Sequence, residues 1–155
     1  MTLARVIVLA LAITYVVSSL APTYVVSGFG RTVSSAPQAA RTTNDAVFTA
    51  EQAKRGEVLY QFICARCHGT ALTGIEAAPP LAGAAFTASW TGAPMSDLFE
   101  RIRVSMPQDK PGSLSRQQSA DVVAYILSFN KAPAGQTEMP GDADALKAIT
   151  IAPAN

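Results

Sequence analysis

The amino-acid sequence predicts an all-α protein with three to four helices joined by long loops. Residues 96–103 and 116–130 have apolar positions at helical spacing, and no segment has the alternating pattern of a β-strand. Seven Gly and Pro residues lie within residues 69–94, which predicts loops with short turns there. The chain has 155 residues, enough for one small domain with appendages.

The first 30 residues are typical of an export segment. Arg5 precedes an apolar stretch that begins at Val6, and the next charged residue is Arg31. A cleaved signal peptide has this pattern, but the uncharged span also exceeds the roughly 20 residues that cross a bilayer. The sequence therefore predicts, over residues 1–30, either a removed export signal or a retained anchor that uses residues 6–26. Both place the rest of the chain in the periplasm, on the outer side of the inner membrane.

A flexible linker over residues 31–48 is predicted to follow the export segment. Its first part is rich in Ser, Thr, Ala, Gln and Pro and has little apolar periodicity. A first helix begins near Thr49, because Thr49 followed by Glu51 resembles a cap with an acid in the first turn. This helix continues through Phe62 into a pair of cysteines.

A second helix is predicted over residues 96–103, with Ser96 as its candidate cap. Leu98, Phe99 and Ile102 share one face of this helix. A loop bracketed by prolines then covers residues 106–112.

A third helix is predicted over residues 116–130. Ser115 is its candidate cap, and its apolar positions recur at helical spacing. This pattern leaves Asp121 and Ser128 to face water.

Composition excludes several classes of protein. The formal net charge is +1, and because Arg5 and Arg31 belong to the first 40 residues, 10 Lys and Arg face 11 Asp and Glu in the rest of the chain. No basic stripe is left for binding nucleic acid. The two cysteines lie in one short motif, so they do not form the framework of a disulfide-stapled protein.

That motif, Cys64-Ala65-Arg66-Cys67-His68, is the C-x-x-C-H signature of covalent haem attachment. At a helix end the two thiols face the vinyl-derived carbons of one porphyrin, and His68 directs its imidazole at the iron. A thioredoxin-like dithiol would need a βαβ setting, and a zinc ribbon would need a second pair of Cys or His ligands. The sequence therefore predicts one haem c, bound through Cys64 and Cys67, with its iron held by His68.

The sequence leaves several candidates for the second axial ligand of the iron. His68 is the single histidine, so the candidates are Met, Lys, solvent or an open position. Met95, Met106 and Met139 lie beyond the export segment, and Met106 is favoured because it lies in the loop between two predicted helices. Ligation by a thioether would raise the reduction potential.

Residues 49–134 resemble a class I cytochrome c domain. The resemblance lies in Gly56, Tyr60, Cys64, Cys67-His68-Gly69, Pro80-Leu81, Met106-Pro107 and Tyr125. In that family the first and last helices cross near a glycine with aromatic residues beside it, which implies these roles for Gly56, Tyr60 and Tyr125. It also implies helices and loops wrapped around one covalent haem, with residues 135–155 packed on the domain or trailing from it.

The resemblance implies further haem contacts. Pro80 stands where the family places a proline whose carbonyl accepts the Nδ1 proton of the histidine ligand, with Pro79 as the alternative. Trp90, Arg101 and Arg103 are candidates for binding the haem propionates, because indole and guanidinium N–H groups suit carboxylates. The alternatives are core packing for Trp90 and a solvated helix face for the two arginines.

A narrower similarity extends over most of the chain after the export segment. Residues 78–83, 111–114, 124–127 and 133–151 resemble bacterial cytochromes that serve quinoprotein alcohol dehydrogenases. The resemblance implies a periplasmic electron carrier that is not itself an enzyme. Its partners would be a dehydrogenase, a terminal oxidase or another cytochrome. The alternatives are a fixed, membrane-anchored subunit of a dehydrogenase or oxidase, and a haem sensor or enzyme with an open sixth position.

Overall fold

The computed structural model describes residues 40–76 and 78–153. The predicted export signal or anchor, residues 1–30, and the start of the predicted linker lie outside the described residues. Within the described ranges, no helix combines the length and the apolar character needed to cross a membrane.

Helices make up most of the regular structure in the described residues, and the predicted all-α class is confirmed. The helices are α1 (Ala50–Leu59), α2 (Ala65–His68), α3 (Gly83–Trp90), α4 (Met95–Ser105), α5 (Arg116–Phe129) and the single turn α6 (Ala143–Leu146). A π-helical segment, Tyr60–Cys64, joins α1 to α2. Two short strands, β1 (Arg41–Thr42) and β2 (Ile149–Thr150), pair in parallel.

Thr49 and Ser115 cap α1 and α5, as the sequence predicts. The Thr49 hydroxyl accepts a hydrogen bond from the backbone N–H of Gln52 at 3.1 Å. Ser115 and Gln118 form a reciprocal capping box, with bonds of 3.2 and 2.9 Å. These bonds satisfy backbone donors that the first turn of a helix leaves without partners.

Two predictions about helix limits are wrong. Residues 69–94 contain a helix, α3, where the sequence predicts only loops and turns. Gly83 is the first residue of α3, and the other Gly and Pro residues of this stretch lie outside it, so none interrupts the helix. Phe86 packs α3 onto the core. Helix α4 begins at Met95 with Pro94 as its N-cap, so Ser96 is not the cap.

The crossing of α1 and α5 organises the described part of the chain. Gly56 lies so close to α5 that a Cβ built on it would stand 1.8 Å from the carbonyl oxygen of Asp121. Only a residue without a side chain permits this approach. Tyr60 and Tyr125 pack beside the crossing with ring centroids 5.2 Å apart. These are the roles that the class I cytochrome c resemblance implies.

Asp121 does not face water, contrary to the sequence prediction. Its side chain is 6% exposed and accepts two hydrogen bonds from the Arg55 guanidinium, both at 3.0 Å. Gln117 donates a third at 2.9 Å. A buried carboxylate requires such partners, and the planar guanidinium supplies two donors in a matching geometry. Helical periodicity indicates which face of α5 carries Asp121. It does not show that an arginine of another helix, Arg55, packs against that face.

The predicted flexible linker, residues 31–48, is wrong for residues 41–48. Strand β1 pairs with β2, with Arg41 opposite Ile149. The Thr43 hydroxyl exchanges hydrogen bonds with the backbone of Ala152 at 3.0 and 3.2 Å. Val47 and Phe48 are buried in the hydrophobic core. This segment therefore belongs to the folded unit.

Residues 135–153 also pack on the rest of the described chain. The buried Gln52 side chain donates to the Met139 carbonyl at 2.9 Å and accepts from the Met139 N–H at 2.7 Å. Arg55 donates to both carboxylate oxygens of Glu138, at 2.8 and 3.0 Å. Ile151 exchanges backbone hydrogen bonds of 2.9 Å with residues 92 and 93. The predicted domain limits, 49–134, therefore leave out segments that share the same core.

Replacing Gly56 by Ala tests the helix crossing. The added methyl would overlap the α5 backbone, so the helices must move apart, and we expect a loss of about 3 kcal/mol in the free energy of unfolding. The matched control is Gly83→Ala, where a Cβ meets nothing within 4 Å and only the left-handed backbone, φ +72°, is unfavourable. That control should lose about 1 kcal/mol. If chemical denaturation gives the two variants equal losses of unfolding free energy, the proposed close contact of the helices at Gly56 is contradicted.

Candidate haem site

The cysteine motif lies at the end of the same helical run that crosses α5. Helix α1 passes into the π-helical segment Tyr60–Cys64 and then into α2, Ala65–His68, without leaving helical geometry. Cys64 is half-buried and Cys67 is exposed, and both are free thiols. The position of the helix crossing therefore determines where the two thiols lie.

Burial affects the chemistry of the first thiol. Burial, with a smaller contribution from the nearby Cys67 thiol and against the opposing effect of Arg66, raises the pKa of Cys64 to about 11. Before attachment, Cys64 therefore stays a neutral thiol near pH 7.

His68 is oriented by a hydrogen bond to a neighbouring loop. The imidazole is 9% exposed, and its Nδ1 lies 2.9 Å from the carbonyl oxygen of Pro79. A carbonyl oxygen only accepts, so this hydrogen bond requires the proton on Nδ1 and leaves the Nε2 lone pair for a metal. This is the arrangement that a histidine ligand needs, with its other nitrogen fixed by a backbone carbonyl.

The prediction that Pro80 supplies this carbonyl is wrong, and Pro79, the alternative, supplies it. The N–H of Leu81 donates to the carbonyl of the buried Leu72 at 2.8 Å. In a trans peptide the C=O and N–H groups point in opposite directions, so the Pro80 carbonyl points away from Leu72. The Pro79 carbonyl, one peptide earlier, is the one that reaches His68.

Two further hydrogen bonds fix the backbone beside His68. The hydroxyl of Tyr60 donates to the carbonyl of Gly69 at 2.7 Å, and burial raises the pKa of this tyrosine. The N–H of Gly74 donates to the carbonyl of His68 at 2.9 Å. A Cβ on Gly74 would stand 2.5 Å from the carbonyl oxygen of Ala78, so only glycine allows the loop to fold back here. The sequence predicts Tyr60 as a packing residue but not the role of its hydroxyl.

The Met106 loop lies beside the cysteine motif. Met106 is the C-cap of α4 and is half-buried, and its N–H donates to the Ile102 carbonyl at 3.1 Å. Asp109, in the same loop, forms an ion pair with Arg66 inside the motif. The Arg66 guanidinium lowers the pKa of the Asp109 carboxyl below its ordinary value. This ion pair, which the sequence does not predict, brings together the loop and the motif.

The other two methionines lie elsewhere. Met95 is fully buried at the start of α4, and Met139 is 1% exposed; both belong to the hydrophobic core.

The candidate propionate residues are not equivalent. Trp90 is half-buried at the end of α3, and its ring centroid lies 6.4 Å from that of Phe86. Arg103 donates to both carboxylate oxygens of Glu100, at 2.8 and 2.6 Å, so its charge is already compensated. Arg101 is exposed on α4. Their contacts with a haem stay predictions.

The residues around the motif fit a haem. Phe62, Ile75 and Val104 are large apolar side chains that are 83%, 49% and 54% exposed. Phe62 precedes Cys64 by two positions, Ile75 lies in the loop after His68, and Val104 precedes Met106 by two positions. An apolar macrocycle at this site would have the apolar side chains of Ile75 and Val104 beside it, two thiols for its attachment and an imidazole nitrogen for its iron.

The fold and the site define a class of protein: a helical domain in which a C-x-x-C-H segment holds a covalent haem. Residues 51–126 match the family model described as cytochrome c oxidase, cbb3-type, subunit III. These residues therefore resemble a domain of the cytochrome c family. A domain of this family carries covalently bound haem c with its iron.

One solved structure resembles this chain, the sulfane dehydrogenase SoxCD from Paracoccus pantotrophus. The sequence identity is 17% and the TM-score is 0.48. The match covers 70% of this chain and 62% of that chain, which is less than two thirds of its length. No match to a curated protein is found.

Proposed function

We propose that this chain is a periplasmic mono-haem c-type cytochrome that transfers single electrons between a dehydrogenase and a respiratory acceptor. The observation that carries the proposal is the His68 hydrogen bond. With Nδ1 bonded to the Pro79 carbonyl at 2.9 Å, the only histidine of the chain offers Nε2 to a metal, and it directly follows two free thiols. This combination suits covalent haem attachment and axial ligation by one short segment.

In this proposal Cys64 and Cys67 hold the porphyrin through thioethers, and His68 is one axial ligand. When bound, the haem supplies one-electron redox chemistry at its iron. The chain's own contribution is to hold the imidazole still, because Pro79 fixes its nitrogen and Tyr60 fixes the adjacent backbone through Gly69. A ligand that does not reorient between oxidation states suits fast electron transfer.

Met106 is the proposed second axial ligand. The core positions of Met95 and Met139 support this choice, since both side chains already pack against other apolar residues. Met106 is half-buried in a loop tied to the motif by the Arg66–Asp109 ion pair. A methionine–histidine ligand pair raises the reduction potential. Because both axial positions are then taken by side chains, no iron position is left for a substrate, which supports a carrier and not an enzyme.

The proposed donor is a quinoprotein alcohol dehydrogenase, in line with the narrower sequence similarity. The exposed Phe62 beside Cys64 supports docking of a protein partner near the haem, because aromatic residues are enriched in such interfaces. Trp90, Arg101 and Arg103 are proposed as propionate contacts, with Arg101 favoured over Arg103, which is bonded to Glu100. The proposed export segment, residues 1–30, is cleaved in this scheme.

A second candidate is a fixed, membrane-anchored subunit of an oxidase or dehydrogenase. The observation that favours it is the description of the matching family model, which names an oxidase subunit. In that case residues 6–26 stay attached to the chain and hold the domain at the membrane. The chemistry of the haem site would be the same in both candidates.

Replacing Met106 by Ala tests the second ligand. We expect the long-wavelength thioether-to-iron absorption band of the oxidised protein to disappear and the reduction potential to fall, because the thioether favours the ferrous state. Met95→Leu and Met139→Leu are the controls, and both should retain the band. An unchanged band in Met106→Ala would overturn the assignment. Rapid carbon monoxide binding by the reduced wild-type protein would instead favour the sensor or enzyme with an open sixth position.

Fractionation of cells and electron-transfer kinetics test the partner. We expect the haem-loaded chain in the periplasmic fraction without its first 30 or so residues, and we expect a quinoprotein alcohol dehydrogenase with its alcohol to reduce it. Phe62→Ser should slow this reduction about tenfold, because the loss of one aromatic side chain from a protein interface typically weakens binding by about that factor. Val58→Ser, at an exposed position of α1, is the control. Recovery of the full-length chain with oxidase subunits in the membrane fraction would favour the second candidate.

A further inference from the structure

One ion pair connects the cysteine motif with the Met106 loop. Among the described residues, the Lys54–Glu57, Glu100–Arg103 and Asp144–Lys147 pairs each join residues three positions apart, so they do not connect separate segments. Arg55 connects α1 with α5 and the C-terminal segment. Arg66–Asp109 is the pair that joins the motif to the loop between α4 and α5.

Arg66 is in a rigid position. It lies between the two cysteines, in the short helix α2, and the N–H of Gly69 closes that helix by donating to the Ala65 carbonyl at 2.8 Å. Two thioether bonds on either side of Arg66 would immobilise its backbone further. The backbone of Arg66 is therefore a fixed point from which its side chain can hold a neighbouring loop.

Asp109 is in a loop whose ends are held by helices. Met106 is bonded to the end of α4, and Ser115 caps α5. Between them, the Lys110 N–H donates to the Pro107 carbonyl at 2.9 Å, and the Ser113 N–H donates to the Lys110 carbonyl at 3.3 Å. These bonds are internal to the loop. Asp109 supplies the side-chain contact from the middle of this loop to the motif.

We propose that the Arg66–Asp109 ion pair is a positioning contact that holds the Met106 loop closed over the haem and slows the exchange of the Met106 thioether for external ligands. The proposal rests on the proposed function, because it takes Met106 as an axial ligand of the iron. Neither Arg66 nor Asp109 touches the iron in this scheme. Both act through the position of the loop.

The expected effect of the ion pair on loop opening is small because both side chains are exposed. The side chains of Arg66 and Asp109 are 55% and 57% exposed, so water and salt screen their attraction. Exposed pairs of this kind contribute little to global stability, but the same small energy changes a local opening equilibrium about two- to fivefold. The pair is therefore expected to influence loop opening and not the overall fold.

The test measures imidazole binding to the oxidised, full-length holoprotein by stopped-flow absorption. Imidazole is a neutral ligand at alkaline pH, so its approach is insensitive to the charge of the site. We expect Asp109→Asn and Arg66→Gln each to bind imidazole about two- to fivefold faster than wild type, with the double variant no faster than either single variant. Lys54→Gln, which removes an exposed pair on α1, is the matched control and should bind at the wild-type rate.

Salt and charge exchange sharpen the test. In 1 M salt the wild-type rate should rise towards that of Asp109→Asn, because the Debye length falls to about 3 Å. The exchanged variant Arg66→Asp with Asp109→Arg should restore slow binding. Two results would overturn the positioning role: unchanged imidazole-binding rates in both single variants, or an exchanged variant that binds as fast as the single variants. If Met106→Ala has lost the thioether band, the assignment of Met106 as a ligand still stands in that case. A band that persists in Met106→Ala would overturn the ligand assignment, and the positioning role with it.

Discussion

The contact between α1 and α5 at Gly56 is the constraint on which the rest of the described structure depends. Because a Cβ at this position would overlap the Asp121 carbonyl at 1.8 Å, the two helices can meet only through a bare backbone. Arg55, the preceding residue, then reaches the buried carboxylate of Asp121 and also the exposed carboxylate of Glu138. One turn of α1 thus joins the helix crossing to the C-terminal segment.

The same helical run determines the geometry of the haem site. From Gly56 the chain continues through the π-helical segment to Cys64 and His68 without a break. The position of the helix crossing therefore determines the positions of the two thiols. The imidazole is then oriented by the Pro79 carbonyl, and the adjacent backbone by the Tyr60 hydroxyl. An imidazole held in this way would keep its orientation while the iron changes its oxidation state. These two hydrogen bonds support the proposed electron-carrier role.

The caps of α1 and α5 and the cysteine motif have local causes and were predictable from the sequence. The Thr49 and Ser115 caps follow from the hydrogen bonds that short polar side chains make to the next turn, and the cysteine motif is contiguous. Features that depend on distant partners were not predictable. The burial of Asp121 depends on Arg55, and the packing of residues 41–48 depends on a strand more than 100 residues later. The contact between His68 and the Pro79 carbonyl joins residues 11 positions apart, and the sequence alone left both proline carbonyls open.

The central claim is that one haem is bound covalently through Cys64 and Cys67. Its most direct test is the intact mass of the denatured protein, produced from the full-length gene in cells that attach haem c. The account predicts a mass increment of one haem per chain in the wild type and its complete loss in the Cys64→Ala, Cys67→Ala double variant. A wild-type chain without the increment, or a double variant that retains it, would contradict the account.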